Sequence, residues 1–182
     1  MASLRDWANP FLEQAREDLR AARAARAAPP PGCPSTFCML LQMTFEKLGK
    51  AAFARDRSNL QAPEPPHSHQ TVSRLLGNLE RAPGGFTLKG ITSDKDRARI
   101  FSAIRELENA HPDTVKKNMV SHGFPQSPQL EFPWKNPTSG VIEWPARHLP
   151  IALRVNDPRD RIGADLLKFA EALESQFDVL FP

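Results

Sequence analysis

The chain contains no tyrosine, and Cys33 and Cys38 are its only cysteines in 182 residues. Without a tyrosine, control by modification of a phenol is closed to it. Two cysteines with no second Cys/His pair cannot complete a tetrahedral metal site, and Cys38 falls inside a helical pattern. Reduced structural thiols are therefore expected, and no metal. No apolar run approaches the roughly 18 residues that a membrane span needs. The opening MASLRDWANPF lacks a charged region followed by an apolar core, so no signal peptide is expected. A glycine-rich phosphate loop is missing, as are Ser-His-Asp and Cys-His arrangements, and no cofactor is expected. Charge of one sign is also scarce: 24 Lys and Arg stand against 21 Asp and Glu, a net +3. That balance gives no strong signature for nucleic acid or for an acidic substrate. A soluble, cytoplasmic globular protein is the expectation, with length enough for one well-buried domain.

What is present is helical periodicity cut by 18 prolines. The clearest stretch is Thr36 to Arg55, where Phe37, Leu40, Leu41, Thr44, Phe45, Leu48, Ala51 and Ala52 gather on one broad face. Before it, Asn9-Pro10 reads as a cap and first position, and Leu12, Ala15, Leu19 and Ala22 form a narrow apolar stripe. Arg20, Arg23 and Arg26 recur every third residue, more in the manner of a solvated face than of a phosphate reader. Pro29-Pro30-Pro31-Gly32 stops that helix, and the short link predicts an antiparallel pair. A third helix is predicted over 67–81 through Val72, Leu75, Leu76 and Leu79. Ser93 with Asp94 and Asp96 opens a fourth, whose core face is Ile100, Phe101, Ile104 and Leu107.

From 112 to 158 prolines are frequent and apolar residues come in short bursts. Gln129-Leu-Glu-Phe132 and Val141-Ile-Glu-Trp144 are candidates for a short hairpin. Asp157-Pro158 then predicts the start of a terminal helix through Ile162, Leu166, Phe169, Leu173 and Phe177. The expected fold is all-α: an antiparallel up-down bundle of about five helices, with an irregular proline-rich segment at 112–158 before a C-terminal helix at 159–181.

Three features together resemble a HEPN domain, the family named for higher eukaryotes and prokaryotes nucleotide-binding. The first is the helix FLEQAREDLRAARAA. The second is the acid-basic-apolar-x-basic-Ala step Glu46-Lys47-Leu48-Gly49-Lys50-Ala51. The third is a histidine, His67 or His69, opening the third helix. The resemblance spans roughly residues 10 to 111 and implies that residues 1–182 form one HEPN-like domain. It also implies a homodimer, an RNA or protein partner encoded in the same module, and a defence or toxin-antitoxin setting. HEPN proteins that cut RNA often carry an Arg, four to six residues, then a His; Arg105 and His111 fit that pattern. The resemblance thus makes them candidate residues of a metal-independent ribonuclease. The guanidinium would hold the scissile phosphate, and the imidazole would carry a proton between the 2′-hydroxyl and the leaving oxygen.

Residues six apart on a regular helix point about 120° away from each other, so Arg105 and His111 converge only where the helix end unwinds. Glu106 stands where the family often has a small polar residue. The tyrosine that some family toxins carry beyond the histidine is absent here. A solvated Arg105 and a His111 that favours the helix dipole explain both residues without catalysis. A HEPN-type module that binds a protein or a nucleotide is the alternative. For binding, the candidates are His67, His69, Arg147, His148, Trp134 and Trp144. Both tryptophans are expected to pin the proline-rich segment onto the bundle.

Overall fold

A computed structural model describes residues 4–28, 33–56, 71–80, 93–111, 128–131, 133–136 and 138–182. It is a helical bundle with one two-stranded ribbon among the described residues, as the periodicity predicts. A single 3-10 turn, Leu4–Trp7, leads into α1 (Ala8–Ala27). Then come α2 (Pro34–Arg55), α3 (Thr71–Glu80) and α4 (Asp94–Asn109). After the ribbon, β1 (Trp134–Lys135) and β2 (Ile142–Glu143), follow α5 (Pro145–His148), α6 (Pro150–Asn156), α7 (Ile162–Ser175) and α8 (Phe177–Leu180). Among the described residues no helix is long and apolar enough to cross a membrane.

α1 and α2 form the backbone of the bundle and run antiparallel. At one end Arg26 sits over the Phe37 ring, and at the other Arg55 donates to Asn9 Oδ1 at 3.3 Å. The small side chains of α1 allow this approach: Ala15 and Ala22 are wholly buried against α2. Phe37, Leu41, Phe45 and Leu48 of α2 all lie in the core. Each such side chain contributes about 1.5–3 kcal/mol by leaving water. α7 covers the pair, packing Phe169 against Phe45 (ring centroids 6.0 Å) and edge-on against Phe101 of α4 (5.6 Å). Its outer side is tied to α1 by Arg16–Glu174 and Arg23–Glu171, each 2.6 Å. Part of the arginine row thus reaches across to α7 and is not simply solvated.

α3 and α4 run antiparallel to each other, since Ser73 Oγ donates to Glu108 Oε2 at 2.9 Å while Arg105 pairs with Glu80. Ser93 caps α4 as its sequence predicts, its hydroxyl accepting the Asp96 N–H at 3.1 Å. The predicted caps of the first and terminal helices are displaced. α1 begins at Ala8, before Asn9 and Pro10. At the terminal helix Asp157 closes a turn by accepting the Arg159 N–H at 2.9 Å. Asp160 then accepts the Ile162 N–H at 2.8 Å in a second turn, and the helix starts at Ile162 behind Arg161, whose side chain makes no capping bond.

The ribbon also differs from its expected form. β2 lies within the expected Val141–Trp144 strand, but its partner is Trp134–Lys135, inside the stretch read as the loop. The register is Trp134 opposite Glu143 and Lys135 opposite Ile142. A tight turn permits this. Asn136 Oδ1 accepts the N–H groups of Thr138 (2.9 Å) and Ser139 (3.1 Å), and Gly140 takes φ 72°. Beyond it, Pro145 and Pro150 occupy the first turns of α5 and α6, where a missing N–H costs nothing. Two of the prolines that make this segment look irregular thus start its helices.

Candidate functional site

Arg105 lies on the outer side of α4. Its side chain is 50% exposed and meets Glu80, equally exposed, at 3.6 Å. His111 stands beyond the helix end and is half-buried, with its N–H donating to Glu108 O at 3.2 Å. α4 stays helical through Asn109, and Ala110 keeps φ −87° and ψ 3°, so departure from helical geometry begins only at the last residue before His111. The 3.6-residue period therefore continues almost to the histidine. His111 follows the buried stripe of Ile104, Leu107 and Glu108, whereas Arg105 belongs to the exposed side with Ser102 and Asn109. The helix of one chain does not aim the two at a common point.

His67 and His69 lie outside the described residues. Among the described residues, no group of three or more His, Cys, Asp or Glu is placed to hold a metal ion.

The other four candidates are brought together by the ribbon and α5. Trp134 is 2% exposed, and its indole N–H donates to Glu143 Oε2 at 2.9 Å. The second oxygen of Glu143 accepts from Asn136 Nδ2 at 2.8 Å, so the carboxylate joins both ends of the turn. Trp134 thus pins the segment to the core as expected. Trp144 does not: it is 41% exposed. The difference follows from strand alternation, because Trp134 and Glu143 share one face of the ribbon while Ile142 and Trp144 share the other.

His148 is wedged between the two indoles, edge-on to Trp144 at 4.6 Å and to Trp134 at 6.5 Å between centroids. Its Nδ1 lies 3.0 Å from the Trp144 backbone nitrogen and 3.2 Å from the Trp144 carbonyl oxygen, so the ring is held against its own helix start. Arg147 holds its guanidinium 5.7 Å from the centre of the Trp144 ring. Val141 and Ile142 beside them are 58% and 55% exposed. Sequence reasoning missed these two and Lys135. The signal lay in the alternation of Val141-Ile142-Glu143-Trp144, where a glutamate in register with a buried tryptophan turns its neighbours outward.

No family model, curated protein or solved structure matches this chain.

Proposed function

We propose that the chain is a HEPN-like helical module that works by binding a partner protein, and that the corner formed by the ribbon and α5 is its binding surface. The observation that carries this reading is the exposed outer-face pair Ile142 and Trp144, with Val141 exposed next to them at the turn, braced from behind by a hydrogen-bonded frame. Large apolar groups held in place at a surface give binding energy with little ordering cost. Supporting the HEPN-like reading are the antiparallel α1–α2 pair and the Glu46–Lys50 bridge of 2.6 Å within the motif step. The test is a selection of ligands on the full chain and on Trp144→Ala, whose indole can be removed without opening the core. Ligands held by the parent and lost by the variant support the corner. Identical ligand sets on both overturn it.

A ribonuclease is the second reading, favoured by the accessibility of Arg105, whose ion pair with Glu80 is long and exposed on both sides. Because Arg105 and His111 lie on different sides of α4, a working cleft would need a second copy to complete it. RNA incubated with the protein in EDTA, alongside Arg105→Ala and His111→Ala, decides the matter. Cleavage by the parent alone supports the enzyme, and cleavage by none at high protein concentration removes it.

A further inference from the structure

The outer face of the ribbon carries more than an apolar strip. Lys135 stands directly across from Ile142, and Arg147 lies over Trp144, so the strip has a cation at each end. Neither cation has a carboxylate partner among the described residues. The ribbon's own acid, Glu143, is turned to the inner face and engaged by Trp134 and Asn136. The strip is therefore flanked by two cations that pair with no carboxylate among the described residues.

Resting on the reading of this corner as a binding surface, we propose that its occupant is a short acidic segment of a partner protein carrying an aliphatic or aromatic anchor residue. The anchor packs on Ile142 and Trp144, and carboxylates on either side of it meet Lys135 and Arg147. Among the described residues β2 pairs only with β1, and an extended segment of the partner would add along its other edge. A nucleic acid fits less well. The Trp144 ring already has a guanidinium over it and an imidazole against it, Val141 and Ile142 offer a base nothing to pair with, and two cations make no phosphate track.

The experiment selects from a random peptide library, and in parallel from single-stranded RNA and DNA pools, on the immobilised full chain. Enriched sequences are then synthesised and titrated by fluorescence anisotropy against the parent, Trp144→Ala and Arg147→Glu, with circular dichroism confirming that each variant is folded. The expected winners are peptides with acidic residues flanking one apolar residue. Their affinity falls about tenfold or more in Trp144→Ala, and also falls in Arg147→Glu and with rising salt. Trp144-dependent peptides without acids, or peptides indifferent to Arg147→Glu and to salt, overturn the acidic partner while leaving the corner as a binding surface. Trp144-dependent oligonucleotides overturn the partner class. A dimer that Trp144→Ala dissolves in sedimentation assigns the corner to a second copy and also overturns the proposal. No Trp144-dependent ligand from any pool removes both the proposal and the reading beneath it.

Discussion

The indole N–H of Trp134 donates to Glu143 at 2.9 Å across the ribbon, from a side chain that is almost wholly buried. This one bond links the core anchor to the strand that presents Ile142 and Trp144 outward. Removing the acceptor leaves a buried donor without a partner, so Glu143→Ala is expected to cost about 1–3 kcal/mol. Trp134→Ala removes the anchor itself and is expected to cost about 3–5 kcal/mol. Urea unfolding followed by circular dichroism checks both. Trp144→Ala, with its ring half in water, is the reference that stays close to the parent, and equal losses in all three variants would sink the assignment of distinct roles.

Gly49 in α2 is fixed by a different constraint. A Cβ there would stand 2.8 Å from the carbonyl oxygen of Thr71, the first residue of α3. Inside a helix, Gly→Ala ordinarily stabilises by about 0.5–1 kcal/mol. Here the obstacle is backbone, which cannot swing aside, and the expected sign is reversed: Gly49→Ala destabilises by about 1–3 kcal/mol as α3 is pushed away. Gly163→Ala is the milder comparison, since its Cβ would meet the end of the Arg26 side chain first and Val155 only at 3.2–3.3 Å, and it is expected to lose less than Gly49→Ala. Thermal melts of the pair decide the matter, and a gain in stability for Gly49→Ala would refute the close crossing.

The same glycine marks how far the sequence could be read. The face from Phe37 to Ala52 was legible because burial of apolar side chains repeats with the helix period, and the structure buries Phe37, Leu41, Phe45 and Leu48 as that period requires. The pairing of Glu46 with Lys50 was also legible. That Glu46 is only 5% exposed was not, because a charged residue at helical spacing reads as outward until its neighbours are known. α6 escaped notice because Pro150 looks like a breaker in a proline-rich stretch, and its seven residues are too few to show a period. The candidate corner was half-visible. Its two tryptophans and Arg147-His148 stood out as residue types, but which tryptophan is buried depends on a strand register set by one Asn-centred turn.

The two thiols should differ sharply. Cys33 is exposed ahead of α2, whereas Cys38 is wholly buried one turn later, and burial pushes its thiol pKa up to about 12. The thiolate is the reactive form, so at mildly alkaline pH Cys38 has neither access nor ionisation in its favour. A chromogenic disulfide reagent is expected to titrate one thiol in the folded protein and two in guanidinium. The fast thiol is expected to vanish in Cys33→Ser. Two equally fast thiols in the native protein would contradict the packing of α2.

Asp18 makes the α1–α2 interface sensitive to pH. Burial raises its pKa above the ordinary aspartate value. The Gln14 amide bonded to Oδ1 and the charge of Lys47 oppose that shift, while Glu46 and Glu17 add to it. Its second oxygen is buried with no hydrogen-bond partner. A carboxyl whose folded pKa is raised is still protonated in the folded chain where the unfolded chain has already ionised. Stability is thus lost as pH rises from the unfolded pKa through the folded one, and the loss is complete above the folded pKa. Acidification through that window relieves the strain at this site, even while carboxylates elsewhere, such as Asp96 and Asp157 with their lowered pKa values, pull the other way. Asp18→Asn carries no charge to desolvate, so its stability relative to the parent is expected to be greatest near neutral pH and to decline towards acid. Urea midpoints of both proteins measured across pH give this difference directly, with the titrations of the other carboxylates cancelling between them. A difference that is flat with pH, or that grows towards acid, would mean that the carboxylate of Asp18 is better solvated between the helices than its burial implies.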